Sequence, residues 1–252
     1  MTILLHGFMG SGRNLSSLAR RWVELDPSRT LIFPDMTGHG ESPPLSKPEN
    51  LEQIATSVLE LADHAVGDEP IPLVGHSMGG RVALKARMMA PERVSAVTLL
   101  DITPDPIKTR ASSLDPVVGA LLDAPSRAPD RQSFRDFFSE RGISRGLTDW
   151  LLMNLVGASD GQLTWRIDRK ALHALQKNSR DEDLWDGISG PTLCIRGGRS
   201  PFVSDEEVHA LEAAGAKVHT LDDAGHFLHV DALPGLLNLL ANDTYARGEV
   251  LQ

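Results

Sequence analysis

The segment IPLVGHSMGG at positions 71–80 decides the fold prediction. Its first four residues predict a short buried strand, and the residues after Ser77 open a helical stretch that runs to Ala90. Glycines stand two positions before and two positions after Ser77. Gly-x-Ser-x-Gly between a strand and a helix predicts a sharp turn that exposes the serine hydroxyl, because larger residues than glycine would collide there. Ser77 is therefore the candidate nucleophile, with a tight turn and a capping serine as the less favoured interpretation.

Short apolar runs alternate with helical stretches on both sides of this segment. We predict strands at 3–5, 31–33, 71–74, 94–100, 192–195 and 217–221, and helices at 14–24, 51–65, 77–90, 205–214 and 233–241. This alternation predicts an α/β fold with a mostly parallel sheet and helices on both faces. From 105 to 190 there are helical patches and no convincing strand, so we predict a core made of residues 1–104 and 191–252 and an all-helical cap inserted at 105–190.

Composition excludes several classes of protein. The 252 residues carry a formal net charge of −9, which argues against a nucleic-acid surface. No apolar run approaches the roughly 20 residues of a membrane helix, and no signal peptide is evident, so we expect a cytoplasmic protein without integral membrane contact. The histidines and the single cysteine lack zinc-motif spacing, and the glycine-rich stretch 7–12 lacks the lysine of a phosphate loop. We expect no metal and no cofactor.

His226 is the candidate general base. A serine needs a base to become nucleophilic, and the base needs an acid to orient it. His226 follows the last predicted strand by a short polar loop, which places it at the edge where the carboxyl ends of parallel strands converge. It also lies late in the chain, after the serine. We expect His229, three residues further on, to face elsewhere.

Two aspartates compete for the role of the acid. Asp101 ends the apolar strand 94–100, where a buried carboxylate without a partner would be costly, and a histidine N–H is a natural partner. Asp205 is the first residue of a predicted helix, where an acidic side chain commonly has the purely structural role of stabilising the helix N-terminus. We favour Asp101 and keep Asp205 as the alternative. For a developing oxyanion, the donors that we expect are the main-chain N–H groups of Met78 and Phe8.

Several motifs together resemble a known family. They are His6-Gly7-Phe8, Gly38-His39-Gly40, GHSMGG at 75–80 and Gly225-His226. In this order they resemble the α/β-hydrolase superfamily across nearly the whole chain. Within it, LDITP at 100–104 and GGRSPFVS at 197–204 are similar to the YbfF-type carboxylesterases. That resemblance implies Asp101 as the acid, with Ser200 where other members keep theirs, a small helical cap, and activity on simple acyl esters or thioesters.

The chain departs from this family at its start. Only five residues precede His6, where members usually have about a dozen or more. We therefore expect the sheet to lack its first one or two edge strands.

The predicted function is that of a serine carboxylesterase that cleaves small to medium acyl esters through a Ser77–His226–Asp101 triad and an acyl-enzyme intermediate. The net charge favours neutral substrates. One alternative keeps the triad for C–C bond hydrolysis, lactone opening or an elimination of the menaquinone-pathway type on a carboxylate substrate, which Arg81 would contact. We favour the simpler interpretation of Arg81 as a helix-surface residue paired with an acid. A non-catalytic binding module is the third hypothesis, disfavoured because all three triad residues are present.

Overall fold

The computed structural model describes residues 1–107 and 115–243. Within these ranges the strands are β1 (Thr2–Leu5), β2 (Leu31–Ile32), β3 (Leu73–His76), β4 (Val97–Leu100), β5 (Arg127–Ala128), β6 (Leu155–Gly157), β7 (Leu163–Trp165), β8 (Thr192–Gly197) and β9 (Lys217–Leu221). The helices are α1 (Ser16–Leu25), α2 (Leu51–Val66), α3 (Met78–Met89), α4 (Asp115–Asp123), α5 (Arg131–Ser139), α6 (Arg145–Leu151), α7 (Arg169–Ser179), α8 (Asp205–Ala213), α9 (Leu228–Asp231) and α10 (Leu233–Asn242). Positions 108–114 of the predicted cap and 244–252 of the predicted core lie outside the described residues.

The main sheet has the order β2-β1-β3-β4-β8-β9, and every neighbouring pair is parallel. His76 at the end of β3 is opposite Leu100 at the end of β4, and Leu100 is opposite Ile195 in β8. The prediction of a mostly parallel sheet is confirmed. Because these registers align the strand ends, the loops that follow β3, β4 and β8 begin side by side.

Successive residues of each central strand pack against different layers. Leu4 and Val74 belong to an apolar cluster with α1 and α10, whereas Leu5 and Leu73 pack with α2 and α3 on the other face. Burial of both faces explains why the strand sequences are continuous apolar runs without alternation. Among the described helices, none combines the length and the apolar character that crossing a bilayer requires.

The cap is not all helical, so that prediction was wrong. Alongside α4–α7 it contains a small antiparallel sheet in the order β5-β7-β6. The chain changes from helix to strand within a few residues here: α6 ends at Leu151, one 3₁₀ turn follows, and β6 begins at Leu155. Strands of two or three residues are too short to show a period of two, and only tertiary packing reveals them. Here Trp165 of β7 lies edge-on to the buried ring of Phe134 in α5.

Arg81 of α3 joins the core to both ends of the cap. Its guanidinium is buried and donates to the main-chain oxygens of Asp105 and Glu182, each at 2.7 Å, and of Ser179 at 3.3 Å. Burial lowers the pKa of Arg81 to about 10, which still leaves it charged at neutral pH. Arg81 is therefore neither a helix-surface residue nor a substrate contact, and both sequence interpretations were wrong. Nothing in the sequence near position 81 shows that two distant segments of the chain, at Asp105 and at Glu182, pack against this side chain.

Candidate active site

Ser77 lies on the sharp turn between β3 and α3 that the motif predicts. Its backbone has a φ of +53°, a conformation that non-glycine residues rarely adopt and that is typical of strained functional turns. A Cβ on Gly75 would come within 2.3 Å of the Gly79 main chain, and a Cβ on Gly79 within 2.3 Å of the Leu5 oxygen. The two glycines are therefore required for the turn and for its close approach to β1.

The fully buried carboxylate of Asp101 follows β4 directly. It accepts the N–H of Gly197 at 2.8 Å, the hydroxyl of Ser200, and a hydrogen bond from Nδ1 of His226 at 2.7 Å. These partners meet the desolvation cost that any buried carboxylate carries. When the Nδ1 nitrogen of the neutral imidazole carries the proton, Nε2 is the acceptor.

Asp205 lies elsewhere. It is the first residue of α8, its side chain is 83% exposed, and its carboxylate pairs with Arg196 at 2.7 Å. The helix N-terminus is completed by a reciprocal pair between Ser204 and Glu207. Asp205 thus has the role of an N-terminal acid, and it is Asp101 that the structure brings to His226.

Two aromatic side chains that the sequence analysis did not assign hold His226 in place. Nε2 of His76 donates to the main-chain oxygen of His226 at 2.7 Å, and the ring of Phe202 stacks on the imidazole with 3.9 Å between centroids. Burial holds the pKa of His76 well below its usual range, so this ring is neutral and has a single N–H to donate. The signal for His76 was its place inside the serine motif, directly before Ser77.

His229 does not face elsewhere, so that prediction was wrong. The short helix α9 begins at Leu228 and turns the imidazole of His229 back to within 5.0 Å of the His76 ring, at an edge-to-face angle. Burial lowers the pKa of His229 to about 4. Although histidines are concentrated here, no group of three or more His, Cys, Asp or Glu side chains in the described ranges is arranged to hold a metal ion.

Ser77 and His226 line the same cleft between the core and the cap. Its walls are formed by Gly7, Phe8, Gly10, Asn14, Leu15, His76, Ser77, Leu147, Trp150, His226, Phe227 and His229. The cap contributes Leu147 and Trp150, both from α6. The cleft is thus apolar over much of its surface and polar where the serine and the histidines meet, which is the usual character of a small-molecule site.

The two predicted oxyanion donors lie beside the serine. Met78 is the first residue of α3, where an N–H has no partner within the helix and lies at the positive end of the helix dipole. Phe8 follows Gly7, on which a Cβ would lie 3.5 Å from Cβ of Ser77. Within the described ranges, no acceptor is hydrogen-bonded to the N–H of either Phe8 or Met78.

A buried histidine shapes the loop that carries Phe8. The ring of His6 donates from Nδ1 to the Gly7 oxygen at 2.8 Å and accepts the N–H of Met36 at Nε2, at 3.0 Å. Burial lowers the pKa of His6 to about 4, so the ring stays neutral and can both donate and accept. His39 packs edge-on to His6 and is also buried, which makes it a structural residue of this loop.

Comparison with known proteins identifies the family of the chain. The model of the alpha/beta hydrolase family matches residues 2–235. The chain is 31% identical to the mouse sn-1-specific diacylglycerol lipase ABHD11, over 91% of this chain and 76% of that protein, and 28% identical to the Escherichia coli esterase YbfF, over 94% and 90%. A solved marine microorganism esterase superposes with a TM-score of 0.83 at 25% identity, covering 94% of this chain and 92% of the esterase.

Proposed function

The chain belongs to the α/β-hydrolase family, and on that premise we propose that it is a serine carboxylesterase with Ser77 as nucleophile, His226 as base and Asp101 as the orienting acid. The observation that carries the proposal is the 2.7 Å hydrogen bond from the His226 imidazole to the buried Asp101 carboxylate, at a cleft that Ser77 also lines. The names of its relatives, esterases and a lipase, support ester substrates.

The first half of the reaction forms an acyl-enzyme. Nε2 of His226 takes the proton of the Ser77 hydroxyl as the oxygen attacks the ester carbonyl, and the oxyanion that develops accepts the N–H groups of Phe8 and Met78. The imidazolium is stabilised by the Asp101 carboxylate and by the face of the stacked Phe202 ring. When the tetrahedral intermediate collapses, His226 returns the proton to the alcohol, which leaves.

The second half releases the acid. A water molecule takes the place of the alcohol, gives a proton to Nε2 of His226 and attacks the acyl carbonyl, and the proton then passes to the Ser77 oxygen as the acyl bond breaks. The Asp101 carboxylate is fully enclosed and already accepts three hydrogen bonds, so it does not contact the substrate and acts only through the histidine.

A fluorophosphonate probe and a series of p-nitrophenyl esters of increasing acyl length test the proposal. We expect the probe to label Ser77, and we expect Ser77→Ala to lose roughly 10⁴- to 10⁶-fold in kcat with an unchanged melting temperature. Ser28→Ala, at an exposed serine in the turn after α1, is the control and should keep full turnover. Wild-type turnover in Ser77→Ala, or labelling at another residue, would overturn the assignment.

A further inference from the structure

A second pocket adjoins the cleft that holds Ser77. Among its lining residues are Gly10, Arg13, Asn14, Arg131, Trp150 and Arg166. Three of these residues, namely Gly10, Asn14 and Trp150, also line the Ser77 cleft. The two spaces therefore adjoin at these three residues, and a substrate whose ester carbonyl lies at Ser77 would have to pass Trp150 to reach the second pocket.

The second pocket collects positive charge in a negatively charged protein. Its three arginines come from separate segments: Arg13 from the 3₁₀ turn before α1, Arg131 from the start of α5, and Arg166 from the residue after β7. None of its lining residues in the described chain carries a carboxylate, although the net charge is −9. Such a concentration of one sign of charge around a concave surface attracts ions of the opposite sign.

Each arginine keeps donors for a ligand. A guanidinium has five N–H donors. Arg131 gives one to the Leu152 oxygen at 2.7 Å, and Arg166 gives one to Glu41 at 3.3 Å. The Glu41 side chain is 73% exposed, so this ion pair is weak and readily exchanged. Within the described ranges, no carboxylate is ion-paired with Arg13.

We propose that these three arginines, the arginine pocket, bind an oxyanion carried by the substrate, so that the preferred ester bears a carboxylate or a phosphate group some bonds away from the scissile carbonyl. The proposal rests on the proposed function. Guanidinium groups bind both kinds of oxyanion through paired N–H donors. The proposal also reverses the expectation of neutral substrates. The nearby positive charge of the arginine pocket acts on a bound ligand more strongly than the net negative charge of the whole protein does.

Two pairs of esters separate the two oxyanions. Mono-p-nitrophenyl glutarate carries a carboxylate where p-nitrophenyl valerate ends in a methyl group, and 1-butyrylglycerol 3-phosphate carries a phosphate that 1-butyrylglycerol lacks. We expect the anionic member of at least one pair to have a kcat/KM about tenfold higher, through a lower KM. The advantage should shrink as the salt concentration rises, because the arginines are reached by solvent.

Variants connect this advantage to the arginine pocket. Arg13→Gln and Arg166→Gln should each lower the ratio of anionic to neutral kcat/KM about tenfold, whereas Glu41→Gln, which frees Arg166, should raise it. Arg127→Gln is the matched control: this cap arginine pairs with Asp160 outside the pocket and should leave the ratio unchanged. Equal kcat/KM within both ester pairs, or equal loss on both members in the variants, would overturn the inference.

Failure of the arginine pocket and failure of the esterase proposal give different results. Ser77-dependent hydrolysis of the neutral esters without any anionic advantage overturns the inference and leaves the esterase intact. If no ester is cleaved, titration calorimetry with glutarate and with inorganic phosphate decides: binding that Arg13→Gln weakens about tenfold supports the pocket, and no binding of either anion overturns it. Melting temperatures of all variants show that they are folded.

Discussion

The core and the cap both line the Ser77 cleft, but they hold their side chains by different means. In the core, Ser77 and Asp101 follow neighbouring strands, and their N–H groups continue the ladder by donating to the oxygens of Leu100 and Ile195. In the cap, Trp150 lies on the seven-residue helix α6, which is not hydrogen-bonded into the main sheet. The side chains proposed to react therefore follow strands of the main sheet, and the facing wall of the cleft comes from a helix outside that sheet.

A few polar side chains add to the apolar packing between the two regions, which share one buried cluster. Arg81 fixes the two ends of the cap, Asn154 of the cap donates to the Met9 oxygen at 2.9 Å, and Arg166 of the cap pairs with Glu41 of the core. Substitutions in the core should therefore change the chemical step, whereas substitutions in the cap or at its attachment should change stability and substrate affinity. The following experiments, in order of decreasing expected effect, test whether the effects of core and cap substitutions differ in this way.

Among these experiments, the largest effect is expected from Asp101→Asn in the core. An amide cannot hold the Nδ1–H tautomer of His226 as a carboxylate does, and the expected loss is about 10⁴-fold in kcat for p-nitrophenyl butyrate. Asp205→Asn removes only an exposed ion pair and should stay within about twofold of wild type. If Asp205→Asn lost more activity than Asp101→Asn, the acid would have been assigned to the wrong loop.

Arg81→Gln should lower the free energy of unfolding by about 3 kcal/mol, because buried main-chain oxygens of Asp105 and Glu182 lose a charged donor. Urea unfolding measures the change. Arg21→Gln provides the control, since its pair with Glu24 is exposed on α1 and should contribute at most about 1 kcal/mol. An equal, small effect of both substitutions would mean that Arg81 does not hold the cap to the core.

Acid should destabilise the core before the cap. Burial lowers the pKa of His6 and His229 to about 4 and that of His39 to about 3, whereas an unfolded histidine has a pKa near 6.5. The unfolded chain thus binds more protons below pH 6.5, and stability is greatest above that pH and falls as the pH drops towards 4. Each such histidine contributes a slope of up to about 1.4 kcal/mol per pH unit.

The slope of stability against pH identifies the histidines responsible. His39→Gln should flatten it, whatever its effect on stability at neutral pH, and His173→Gln, at an exposed histidine of the cap, should leave it unchanged. Thermal unfolding between pH 4 and pH 7.5 gives the slopes. A slope that responds to His173 and not to His39 would place the acid-sensitive part of the molecule in the cap.

The smallest effect is expected from Trp150→Ala on the cap wall. Loss of this apolar surface should raise KM for p-nitrophenyl butyrate about fivefold, equivalent to about 1 kcal/mol, and leave kcat near its wild-type value. Trp150→Phe keeps most of the apolar surface and should recover most of the affinity. A fall in kcat with an unchanged KM would show that the cap takes part in the chemical step.

Sequence reasoning succeeded where a short motif determines local geometry. The crowding around Gly75 and Gly79 predicts the turn at Ser77, and the cost of burying a carboxylate at the end of an apolar strand favours Asp101 over Asp205. The structure brings Asp101 to His226 as that argument expects. Such predictions work because the carboxyl ends of parallel strands always meet at one edge, so position along a strand is enough to place a side chain.

The failures have two causes, very short elements and contacts between residues that are distant in the chain. The strands of the cap are too short to have a readable period, and Arg81 was misread because its acceptors lie 24 and 101 positions away. His229 was expected to face elsewhere since the short helix after Phe227 gives no periodic signal of its own. Neither a contact between distant residues nor an element of a few residues leaves a pattern that can be recognised in the sequence.

By itself, the amino-acid sequence determined the parallel α/β core, the sharp turn at Ser77 and the placement of Ser77, Asp101 and His226 after strand ends. These features follow from local sterics and from the pattern of apolar residues along the chain. Only the tertiary structure decided how the cap is attached through Arg81, which side chains support His226, and that Arg13, Arg131 and Arg166 converge on one pocket. Electrostatic and packing partners depend on distances in space, and chain folding brings such residues together without leaving a local pattern.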